Sequence, residues 1–173
     1  MGETGRRVGE GRVGVGKATI GERKAWRLAL RACIICLKSV MSAVKHFREL
    51  DVYQGAMSLV MRVFDLTKRF PIEERYSLID QIRRSSRSIC ANLAEAWRRR
   101  RYQAAFVAKL NEAEAEAAET QVHFEIAYRH NYLSQEVYEE LDDACDKILA
   151  QIVKMIEHSE IWVIKPPNNS SRA

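Results

Sequence analysis

Glycine and proline almost vanish from this 173-residue chain after position 21: from there to Lys165 only Gly55 and Pro71 remain. Connections without glycine, and the absence of strict apolar/polar alternation, argue against a strand-rich fold with tight hairpin turns. Cysteine is sparse as well. Cys33, Cys36, Cys90 and Cys145 show no paired spacing of a disulfide framework, which points to a reducing, cytosolic setting. Cys33 and Cys36 form a CxxC, but no second CxxC, nearby histidine or preceding strand supports a zinc or redox role. Apolar runs are short: Arg31 and Lys38 interrupt the stretch from Leu28 to Met41, and nothing approaches the ~20 residues of a membrane span. No partner membrane is expected.

The residues of common catalytic motifs are equally scarce. Di-metal bundles use Glu-x-x-His pairs, and none of His46, His123, His130 or His158 has a glutamate three residues before it. There is no HExxH, no nucleophile elbow and no complete phosphate loop; Gly14-Val15-Gly16-Lys17 lacks the required spacing. The expectation is a protein that is not an enzyme and holds neither metal nor cofactor.

What the chain has in quantity is charge and helical periodicity. The net charge of +5 is concentrated: residues 1–40 carry nine basic and three acidic side chains, so everything after them sums to −1. Seven of the eight glycines share that leader, a composition that reads as disordered or linker-like. The abrupt change near Met41 suggests that residues 1–40 are an upstream extension. The expected organisation is a leader over 1–45, a bundle over 46–160 and a tail over 161–173.

Four stretches repeat apolar residues at spacings of three and four. The first, from Phe47 to Phe70, offers Leu50, Tyr53, Met57, Val60, Phe64 and Thr67 as a core stripe, and Pro71 ends it. The second starts near Glu73 or Glu74 and runs to about Arg99, with Ile79, Ile82, Ser86, Ile89, Leu93 and Ala96 inward. The third spans about Gln103 to Arg129, with Phe106, Leu110, Ala113, Ala117, Thr120, Phe124 and Ala127. Ser134 caps the fourth, whose inward residues are Val137, Leu141, Ala144, Ile148, Ile152 and Met155. Four long helices with short links predict an all-α, antiparallel up-down-up-down four-helix bundle.

The second helix carries the candidate site. At ~100° per residue, Arg83, Arg87, Arg98 and Arg101 fall on one stripe, with Cys90, Ala91 and Ala94 leaving the surface between them nearly bare for a close-packing interface. Together with Arg84, Arg99 and Arg100, these arginines form either a phosphate-contacting strip for RNA or DNA or a charged subunit interface. Trp97 beside them either stacks a base or covers the end of the bundle. Asn92 and Glu95, next to the core seam, read as inter-helix hydrogen-bonding groups or partner contacts. Residues 74–101 sum to +5 and residues 102–160 to −9. Such polarity favours a heterologous contact between the basic face of one copy and the acidic face of the next, and a heterologous contact that closes makes a ring. The alanines of the third helix, Ala104, Ala105, Ala108, Ala113, Ala115, Ala117 and Ala118, would allow close packing there.

Phe47-Arg48-Glu49-Leu50, Phe70-Pro71-x-Glu73-Glu74-x-Tyr76-x-Leu78, Gln81-Ile82-Arg83-Arg84, Ser88-Ile89-x-Ala91-Asn92-Leu93-Ala94-Glu95 and Tyr132-Leu133 together resemble a known family. It is the 23S rRNA-intervening sequence proteins, and the likeness spans about residues 46 to 160. The family's usual SIPANIAEG stands here as SICANLAEA, with Cys90 for proline and Ala96 for glycine. The resemblance implies a bacterial four-helix bundle assembled as a homopentamer. The family is also similar to the accessory variability protein of diversity-generating retroelements, which implies RNA or DNA and a reverse transcriptase as partners, and a scaffold or adaptor role.

Overall fold

The computed structural model describes residues 44–164. The leader, its CxxC and Gly14 to Lys17, and the tail after Ile164 lie outside the described residues. Four long helices carry the fold: α1 (Asp51–Thr67), α2 (Leu78–Arg98), α3 (Gln103–Arg129) and α4 (Gln135–Glu157). A single turn, α5 (Ser159–Trp162), follows, and 3₁₀ turns at Phe47–Glu49 and Ile72–Tyr76 precede α1 and α2. The helices pack antiparallel, α1 on α2 and α4, α3 on α2 and α4, so that α1 and α3 are diagonal.

Each helix boundary has a local cause. The Ser134 side chain accepts from the Val137 amide and starts α4. At the end of α3, Asn131 takes a left-handed conformation (φ 60°), its amide bonding the Tyr128 carbonyl and the Tyr132 amide the Ala127 carbonyl. This double closure satisfies carbonyls that the helix end would otherwise leave open. The acidic start expected at Glu73 or Glu74 is a 3₁₀ turn instead, and α2 begins only at Leu78. Glu74 nevertheless serves that start: its carboxylate accepts from the Ser77 hydroxyl, from the Leu78 amide (3.3 Å) and from the Tyr132 hydroxyl (3.2 Å).

The inward seams of α2 and α3 are buried as the spacing predicts, from Ile79 to Ala96 and from Phe106 to Ala127. Two seams require correction. In α4 the core takes Cys145 and leaves Ala144 and Val137 half-buried. In α1 it takes Val52, Ala56, Leu59, Val63 and Thr67, while Met57 and Phe64, expected inside, are each 37% exposed. Both stripes of α1 satisfy the same three-and-four spacing, and the smaller residues face inward because α1 must nestle between α2 and α4. Packing, rather than hydrophobicity, decides between them. α2 runs without interruption through Cys90 and Ala96, both buried.

Candidate interaction surface

The seven arginines of the α2 region meet different fates. Arg83 turns back onto α1: its Nε donates to the buried Thr67 hydroxyl at 2.8 Å and its guanidinium lies 4.9 Å from the centre of the Phe64 ring. Arg84 pairs with Glu119 of α3 at 2.8 Å. Arg99 pairs with Glu95 at 3.4 Å. Arg100 donates to the Trp97 carbonyl at 2.9 Å and lies 3.3 Å over the Trp97 ring, where burial lowers its pKa. Arg87, Arg98 and Arg101 are exposed and make no ion pair among the described residues.

The stripe drawn on an ideal helix therefore needs revision. Helix α2 ends at Arg98, the backbone turns through Arg99, and the Tyr102 amide bonds the Arg99 carbonyl at 3.0 Å. Arg101 is thus off the helix, and a rotation of ~100° per residue no longer places it beside Arg83. Trp97 is buried under Arg100, with its ring covered rather than offered to a base. Cys90 is buried within its own bundle, where desolvation pushes the thiol up to about 11. Ala91 stays exposed and Ala94 half-exposed, so these two carry the bare surface between the arginines.

A polar row joins α2 to α3. The Lys109 side chain, 14% exposed, reaches Glu95 at 3.0 Å, Glu112 at 2.5 Å and the Asn92 side-chain oxygen at 3.4 Å. Glu112 first and Glu95 second hold its ammonium pKa above the ordinary lysine value. Asn92 and Glu95 are accordingly inter-helix ligands of one lysine. Deeper in, the Thr120 and Ser85 hydroxyls are 2.9 Å apart, and Thr120 also reaches the Glu116 carbonyl at 2.7 Å. Further along, His123 Nε2 lies 3.3 Å from Glu119.

The feature that counting alanines along the sequence misses is on the outside of α3. With the buried Ala113 as zero, Ala104, Ala108, Asn111, Ala115, Ala118, Val122 and Ile126 fall within about 40° of the opposite direction. All seven are exposed, Val122 by 54%. No charged residue between Ala104 and Ile126 falls in that sector. Its charges stand on the flanks, Glu112 and Glu119 toward α2 and Glu114 and Glu125 toward α4. Helix α3 thus spreads its apolarity over two opposite faces, where α2 concentrates it on one. A wheel would separate Ala113 and Ala117, which are core, from Ala115 and Ala118, which are not.

The model of the 23S rRNA-intervening sequence proteins matches residues 48–154, which include all of α1, α2 and α3 and most of α4. The chain belongs to that family. Among solved structures, the chain is similar to a protein of unknown function from the S23 ribosomal protein family of Bacteroides thetaiotaomicron VPI-5482. The two are 31% identical over 61% of this chain and 95% of the other, with a TM-score of 0.57. A comparison with curated proteins gives no match. The matched segment contains both candidate surfaces, the exposed arginines of α2 and the uncharged outer face of α3. It begins after the basic leader. Among the described residues no helix is long and apolar enough to cross a membrane.

Proposed function

We propose that this family member is a non-enzymatic homo-oligomer, a pentamer as the resemblance implies, that serves as a scaffold or adaptor. The observation that carries the assembly reading is the outer face of α3: about six turns of helix surface without a charge, running the length of the bundle. A solvated bundle helix normally spends that face on charged residues, and an unpartnered apolar face of this length marks an interaction site. The opposite charges of residues 74–101 and 102–160 support contact between unlike faces.

Nucleic acid is the second part of the proposal, carried by Arg87, Arg98 and Arg101, whose charges have no partner among the described residues. RNA and DNA are both candidates, and a reverse transcriptase is a candidate protein partner by the similarity to the accessory variability protein. Three phosphate contacts per copy correspond to a slope of roughly −2.7 in log K against log salt on duplex, and less on single strands. The competing reading, a purely protein-binding module, is favoured by the capture of Arg83, Arg84, Arg99 and Arg100 within the chain. Light scattering on the full chain should give a multiple of 19.9 kDa; a monomeric mass sinks the assembly reading. With Arg87 and Arg98 changed to Glu, loss of RNA and DNA retention with the oligomer intact supports the nucleic-acid reading. Loss of the oligomer supports the protein-binding module.

A further inference from the structure

The outer face of α1 is apolar in a different way from that of α3. Met57, Met61 and Phe64 succeed one another at spacings of four and three and stand 37%, 57% and 37% exposed. They form a ridge of long side chains, bordered by Lys68 and joined to the arginine-bearing face of α2 through Arg83 over Phe64. The outer face of α3 is its converse, with Ala104, Ala108, Asn111, Ala115 and Ala118 at alternating spacings of four and three between acidic flanks. Long side chains on one helix filling the furrow over alanines on another is ridge-into-groove packing, and alanine permits the near end of the usual 8–10 Å axial separation.

We propose that the Met57, Met61 and Phe64 ridge of one copy seats on the Ala104 to Ile126 face of α3 in the next copy. The inference rests on the assembly reading above and names the two surfaces that perform it. Charge complementarity points to a second copy as the occupant: Lys68 and Arg83 lie against Phe64 on the ridge side, and Glu112, Glu114, Glu119 and Glu125 border the α3 face. Of these, Arg83 and Glu114 make no ion pair among the described residues, so they are the charges available to a neighbour. The contact is heterologous, because α1 and α3 are diagonal in the bundle and a copy offers one face to each of two neighbours.

The test uses full-length chains with Cys33 and Cys36 changed to Ser, one carrying Met61→Cys and the other, lengthened by a tag, carrying Ala115→Cys. They are mixed, allowed to exchange and treated with a short bismaleimide. The expected result is an adduct of one chain of each kind, at least tenfold above the like-with-like adducts in either sample alone. An Ala115→Cys self-adduct, or no adduct while light scattering still reports an oligomer, overturns this contact and leaves the assembly reading standing. A 19.9 kDa monomer in both unmodified and variant samples overturns both. As an independent arm, Ala115→Glu and Met61→Glu should each reduce the mass to 19.9 kDa with unchanged helical circular dichroism, since both side chains are exposed in the single bundle. An oligomer that survives either substitution overturns the contact.

Discussion

Single side chains are governed here by what the bundle does to their chemistry. Burial pushes the Cys90 thiol up to about 11, and burial aided by Asp142 and Asp146 pushes Cys145 up to about 12. In a chain with Cys33 and Cys36 changed to Ser, neither remaining thiol should react with a disulfide reagent at pH 8 until the protein unfolds; reaction on mixing would contradict the burial. Glu74 responds to acid in the opposite sense. The Ser77 hydroxyl first, then the Leu78 amide, lower its carboxyl pKa in the folded state. Its contribution to stability is therefore present above the unfolded carboxylate pKa and is lost as pH falls through the lower, folded value. Glu74→Gln should flatten the acid limb of a thermal-unfolding profile, and a limb as steep as in the parent would count against the cap. Thr120→Val removes one partner of a buried hydroxyl pair and should cost about 1 kcal/mol in denaturant unfolding.

At the scale of the element, α3 explains most of what the chain can do. Its inner seam is legible from spacing, because the large residues Phe106, Leu110 and Phe124 mark it while the opposite stripe is mostly alanine. Neighbouring alanines then have opposite roles. Ala117 is fully buried, and Ala117→Leu should overpack the core and cost roughly 1–3 kcal/mol. Ala118 faces outward, and Ala118→Leu should change the stability of the isolated bundle by no more than about 0.5 kcal/mol while weakening the oligomer. Urea unfolding and light scattering on the same two variants measure both effects. α1 is the contrary case. It bears two stripes of similar period, and Met57 and Phe64 face outward while Val60 packs only partly on the core, because the space between α2 and α4 admits Ala56 and Val63 more readily.

For the whole molecule, charge is divided between surfaces. The leader holds +6 and the rest of the chain −1, so the basic character of the chain as a whole says little about its folded part. Within the bundle, intramolecular pairs consume Arg84, Arg99 and part of the acidic flank of α3, leaving a short strip on α2. If that strip carries nucleic acid, retention should fall about tenfold between 75 and 175 mM salt, from the slope of roughly −2.7 per engaged copy. A salt-independent retention would show that phosphate contacts are not its basis.

The amino-acid order by itself determined the fold class, the lengths of α3 and α4 and the inner seams of α2 and α3, because these depend on local periodicity and on where Ser134 falls. Tertiary structure alone decided three things. It chose which stripe of α1 turns inward, a question of the space left by two neighbours. It turned Arg83 onto α1, Arg84 onto α3 and Arg100 onto Trp97, and so dispersed an arginine stripe that helical geometry would have kept together. It also left Ala104, Ala108, Ala115 and Ala118 open, because α2 and α4 pack on the other side of α3 and no described element covers this one.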